Sequence, residues 1–109
     1  MLARTKLSFV QAYVNSFNIS GKEINQYCVD FFDEDGASKS SKYRTFYCDE
    51  LTYNSLGFNE PKTNKNLAGK ELDFEFKSTI INKTNDKLGF SYTMDKMFLV
   101  NIFNLAPKN

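Results

Sequence analysis

Five aromatic residues in the first half of the chain could recognise a flat ligand. They are Phe9, Tyr13, Phe32, Tyr43 and Tyr47. Each lies in a segment of alternating apolar and polar residues, and side chains of a strand point alternately to opposite faces. One register turns Val10, Ala12, Val14, Tyr27, Val29, Phe31, Phe46 and Cys48 inward. Phe9, Tyr13, Phe32, Tyr43 and Tyr47 then point outward, and rings on an open face call for a partner. Nucleobases stack on such rings, at about 1–3 kcal/mol per base. Their phosphates need cations, and Lys22, Lys39, Lys42 and Arg44 lie in or beside the same segments. A second set, Lys83 and Lys87 with Asn82 and Asn85, adjoins Phe90 and Tyr92. The alternative is that these rings fill a core or a subunit interface, as aromatic rings commonly do.

Other chemistries are thinly supplied. The chain has no histidine, which excludes Ser-His-Asp and Cys-His catalysis and every histidine-containing zinc site. Its two cysteines, Cys28 and Cys48, fall short of a four-ligand zinc site and form no C-x-x-C pair. They fall on opposite faces in the register above, so a reduced pair is expected. The acids Asp30, Asp33, Glu34 and Asp35 do not match the EF-hand spacing and suit a solvated loop. No residue set points to catalysis, to a metal or to a cofactor. Net charge is +1, which by itself indicates no polyanionic partner.

The elements that must hold these residues are mostly strands. Leu7–Phe17 alternates, and a turn follows at Ile19–Glu23, where Gly21 can take positive φ. Ile24–Phe32 is a second strand, Asp33–Lys42 a polar loop and Tyr43–Cys48 a third strand. Asp49 can cap a short helix carrying Leu51, Ser55 and Phe58, with Gly57 as its stop. Asn59–Gly69 reads as a loop. Leu72–Lys77 alternates strictly and continues through Ile81; after a turn at Asn82–Lys87, Leu88–Leu105 is the last strand region, bent near Asp95–Lys96. Residues 106–109 form a tail. At 109 residues this is one domain, 1–109, with no apolar run long enough for a transmembrane helix and no signal-peptide pattern at its start. A cytoplasmic location is therefore expected. Asn18-Ile19-Ser20 and Asn82-Lys83-Thr84 match the glycosylation pattern only by chance on that reading.

Three strands, a short helix and two more strands give an all-β chain, best matched by a five-stranded OB-fold-like barrel with one short helix after strand 3. A small β-sandwich or an SH3-like barrel gives nearly the same string. The pattern resembles the small single-stranded DNA-binding proteins of OB-fold type found in phages and plasmids of low-GC Gram-positive bacteria. The resemblance lies in Lys6-Leu7-Ser8-Phe9-Val10, in Ser20-Gly21-Lys22 leading into Tyr27-Cys28-Val29-Asp30-Phe31, and in Leu88-Gly89-Phe90 with the ending Leu105-Ala106-Pro107-Lys108. That ending is similar to the final strand and tail of the filamentous-phage replication protein. The resemblance implies sequence-independent coating of single-stranded DNA by a homodimer or larger homo-oligomer, without catalysis or cofactor. Tyr13, Phe32, Tyr43 and Tyr47 would then stack bases, and Lys22, Lys39, Lys42, Arg44 and Lys87 would meet phosphates. The chain departs from the family in lacking tryptophan and an acidic C-terminal tail.

Overall fold

The computed structural model describes residues 2–35, 42–85, 87 and 89–105, with backbone alone for 81, 83–85 and 90–95. Among the described residues there are five strands: β1 (Leu2–Ile19), β2 (Lys22–Phe32), β3 (Tyr43–Cys48), β4 (Glu71–Asn85) and β5 (Phe90–Ile102). Helices α1 (Glu50–Ser55) and α2 (Pro61–Leu67) connect β3 to β4. The strands close into a barrel in the order β1-β2-β3-β5-β4. Neighbours are antiparallel except β3 and β5, which run parallel and meet at Tyr47 and Phe98. The all-β, OB-fold-like barrel expected from the element order is thus present, with a second helix where Asn59–Gly69 read as a loop.

β1 is 18 residues long because it serves two partners. Leu2–Ser8 pairs with β4, and Ser8–Ile19 pairs with β2. The change of partner coincides with a bulge at Val10, between Phe9 and Gln11. A bulge inserts one unpaired residue and so shifts the alternation by one. Leu7 and Phe9 therefore point inward before it and Ala12 after it. This corrects two expectations: Phe9 is 1% exposed in the core, and Val10 is 37% exposed. A third, Val14, keeps the inward phase of Ala12 but is 42% exposed, because it lies at the rim where β1 and β2 run on past the barrel.

Beyond the barrel β1 and β2 continue as a two-stranded arm, in which residues 15–25 are exposed. Its turn is Ser20-Gly21, both at positive φ (51° and 82°), as a two-residue hairpin with right-handed strand twist requires.

The core is dominated by phenylalanine. Phe31 stacks on Phe74 at 4.3 Å and meets Phe46 edge-on at 5.4 Å. Phe9 stacks on Phe58 at 5.7 Å, and Tyr53 packs against Tyr27 and Phe58, so the α1 segment closes one end of the barrel. Asp49 caps α1 as expected, its Oδ1 accepting the Thr52 N–H at 2.7 Å. The inward residue of α1 is Tyr53, however, and Leu51 is exposed. Helix α2 starts on Pro61, whose fixed φ suits the first helical position. From it Asn64 Oδ1 accepts the Ala12 N–H at 2.6 Å, which satisfies the edge of β1 beyond its pairing with β4.

Candidate nucleic-acid interface

The outer face of β1, β2, β3 and β5 carries a row of rings. The register sets Tyr13 opposite Cys28, Cys28 opposite Tyr47, and Tyr47 beside Phe98. Tyr13 is exposed, and Tyr47 and Phe98 are half-buried. Cys28 is only 2% exposed although it faces outward, being enclosed between its two tyrosine neighbours. Cys48 faces the core, so the two free thiols lie on opposite sides of the sheet.

The row ends in cations. The Lys96 ammonium lies 4.3 Å from the Tyr47 ring centroid and 5.6 Å from that of Phe98. Lys77 of β4 sits opposite Phe98 and is exposed. Beyond Phe98 the barrel surface opens into a groove of about 510 Å³, lined in part by Lys77, Thr79 and Thr52.

Two residues along β2 from Cys28, about 7 Å at the usual strand rise, comes a polar rung. Asp30 is opposite Gln11 on one side and Thr45 on the other. Its Oδ2 accepts from Gln11 Nε2 at 3.0 Å and its Oδ1 from Thr45 Oγ1 at 2.7 Å. Two residues further, Phe32 packs against Tyr43 with centroids 5.1 Å apart. Tyr43 is 61% exposed, and an open cleft of about 430 Å³ separates this pair from Val10 and the Ala68-Gly69 turn.

Burial raises the pKa of the Tyr13 and Tyr47 phenols, and the nearby Cys28 and the Asp30 charge add to the shift. Burial also raises that of the Cys28 thiol. Rings and thiol alike are therefore neutral at physiological pH, as stacking surfaces should be.

Tyr13, Phe32, Tyr43 and Tyr47 thus share one face. Lys22 lies on the same face of the arm, six residues along β2 from Cys28, about 20 Å away. Lys42 precedes Tyr43 and is half-buried. Arg44 is not brought to the row. It lies on the other side of β3, where Nη1 is 3.8 Å from Asp33 Oδ2 and Nη2 donates to Met97 Sδ at 3.2 Å. Lys87 is on the β4–β5 turn, eight residues beyond Thr79, and away from the row. Lys39 lies outside the described residues, as do the side chains of Lys83, Asn85, Phe90 and Tyr92.

Sequence reasoning missed Phe98, Lys96 and Lys77. Their place depends on the parallel β3–β5 contact, which joins residues 51 apart and leaves no local trace. The slip at Val10 did leave one. Leu7 and Phe9 alternate in one phase and Val10, Ala12 and Val14 in the other, so the adjacent apolar pair Phe9-Val10 marks the slip.

Among the described residues no group of three or more Cys, Asp or Glu side chains is arranged to hold a metal ion. No described helix is long and apolar enough to cross a membrane. No family model matches the chain, and it matches no curated protein and no solved structure.

Proposed function

We propose that this barrel binds single-stranded DNA largely without regard to sequence, protecting it in the cytoplasm during phage or plasmid replication and recombination. The observation that carries this reading is the Tyr13–Tyr47–Phe98 row with Lys96 and Lys77 at its end. Neutral rings across adjacent strands offer stacking faces to successive bases, and the lysines offer charge to the phosphates between them. The Phe32–Tyr43 pair extends the path along the face, and Lys22 supplies charge on the arm. Catalysis, metal and cofactor have no part in this activity. The resemblance to phage and plasmid single-stranded DNA-binding proteins supports the same reading and adds self-association into dimers or larger oligomers.

Titration of a labelled oligo-dT at low and moderate salt tests it. Micromolar or tighter binding is expected, weakened by Tyr43→Ala with Tyr47→Ala. No binding at micromolar protein, or binding indifferent to that double variant, would overturn it.

A second reading is a protein-interaction or structural module of a phage or mobile element, using its apolar face as a subunit interface. It is favoured by Phe17, Ile19 and Ile24, which are all exposed on the same face of the arm. A tight oligomer in sedimentation, without DNA affinity, is its signature.

A further inference from the structure

The Gln11–Asp30–Thr45 rung lies between the two sets of rings, about 7 Å from each along β2. A base stacked on either set has this rung beside it as the polar group at the middle of the sheet face, between the rings. We propose that the rung selects bases bearing an exocyclic amino group, cytosine above thymine. This inference rests on the single-stranded DNA reading and gives that site a base preference.

The argument is one of donors and acceptors. Each Asp30 oxygen accepts one bond from within the rung, from Gln11 Nε2 or from Thr45 Oγ1. A carboxylate oxygen has two lone-pair sites, so each keeps one free. Thr45 gives its only hydroxyl proton to Asp30, so its oxygen can only accept from a ligand. Asp30 also fixes the orientation of the Gln11 amide, because the reverse orientation would set two oxygens against each other. Gln11 Oε1 then points away from Asp30 as a further acceptor, and the second Nε2–H is the one donor the rung keeps against these acceptors. The rung therefore shows mainly acceptors.

Cytosine N4 and adenine N6 are amino donors that match it, and a carboxylate accepting from cytosine N4 is an established pairing. Thymine offers O4 at the corresponding position, an acceptor facing acceptors, and its single donor, N3–H, is flanked by two carbonyl oxygens that the carboxylate repels. The Asp30 charge also discourages a phosphate at the middle of the face, which leaves phosphates to the lysines at its ends.

The test compares oligo-dC with oligo-dT of equal length, at one salt concentration and mildly alkaline pH, by fluorescence anisotropy on the full chain. Both are pyrimidines with similar stacking area, so the ratio of dissociation constants reports the rung. Oligo-dC is expected to bind about fivefold tighter or more, the effect of one well-placed base contact. Asp30→Asn removes a negative charge and so tightens both complexes. Its amide can also donate to thymine O4, so the ratio should fall to about one or invert. Thr45→Val, which removes only the hydroxyl, should lower the ratio in part, and it serves as the test should Asp30→Asn not fold. Equal affinity of the unmodified protein for the two oligomers, or a ratio unmoved in a folded variant, overturns the base preference and leaves DNA binding standing. Failure to bind either oligomer overturns both.

Discussion

Lys96→Ala is the perturbation whose outcome is least obvious from a contact inventory. In the free protein the Lys96 ammonium rests 4.3 Å from the centroid of Tyr47, the ring at the centre of the row. A base that stacks there must displace it. A cation over an aromatic ring at the protein surface gains about 0.5–1 kcal/mol. A stacked base gains about 1–3 kcal/mol, so the base wins the ring and the displaced lysine is free to meet a phosphate. Lys96→Ala therefore has two effects of opposite sign. It removes a competitor for the ring, which tightens binding by about two- to fivefold. It also removes one phosphate contact, which lowers the slope of log K against log salt by about 0.7 for a single strand. Across a tenfold rise in salt that slope difference amounts to about fivefold in affinity. Oligo-dT titrations from about 0.05 to 0.5 M salt should give lines that cross, the variant weaker at low salt and as tight or tighter at high salt. Parallel lines would refute the reasoning, because they would mean that Lys96 never exchanges a ring for a phosphate.

Other outcomes follow from the same face and from the core beneath it. Tyr47→Phe should keep oligo-dT binding, because the ring remains, whereas Tyr47→Ala should lose about 1–3 kcal/mol. Tyr47→Ala should also uncover Cys28: alkylation followed by mass spectrometry should find Cys28 protected in the unmodified protein and labelled in the variant. Cys48 should stay unlabelled in both at pH 8, because burial among core residues pushes its thiol pKa up to about 12. Phe31→Ala, at the centre of the phenylalanine cluster, should cost about 3–5 kcal/mol in denaturant unfolding. Below about pH 4, Asp73 and Asp49 contribute to the acid limb. Hydrogen bonds from Arg4 to Asp73, and from the Thr52 N–H to Asp49, lower the folded pKa of each below its unfolded value near 3.9. The stability they contribute is present above that unfolded value and is lost as pH falls through the folded values. Asp73→Asn should therefore flatten the fall in melting temperature with acid.

Much of the architecture was legible because alternation and turn chemistry are local. The capping Asp49, the Ser20-Gly21 turn and the strict in-out pattern from Leu72 to Phe76 each declare themselves within a few residues. Tyr13, Phe32, Tyr43 and Tyr47 reached the correct face for that reason. The errors lie where tertiary contacts decide. Val10 bulges because β1 must leave β4 and follow β2, and Phe9 moves from the outside to the core as a result. Helix α2 is short, opens on Pro61 and holds two asparagines, so its local signals resemble those of a loop; its Asn64 gains a partner only when β1 is in place. In α1, Tyr53 turns inward in place of Leu51 because Tyr27 and Phe58 wait there, on segments the helix sequence does not contain. Phe98 and Lys96 complete the site through the parallel β3–β5 contact, which connects distant parts of the chain. Arg44 shows the converse: it neighbours Tyr43 in sequence, yet alternation sends it to the other side, where Asp33 holds it.

Photo-crosslinking tests the central claim most directly, because it reports which side chains touch a base. A single-stranded oligonucleotide carrying 5-iodouracil is irradiated with the protein, and the adducts are placed by peptide mass spectrometry. Adducts at Tyr13, Tyr47, Phe98 or Tyr43, suppressed by an excess of unlabelled single strand and little affected by duplex, are the predicted result. Adducts confined to the arm at residues 15–25, or none under conditions where the oligonucleotide is bound, would contradict it.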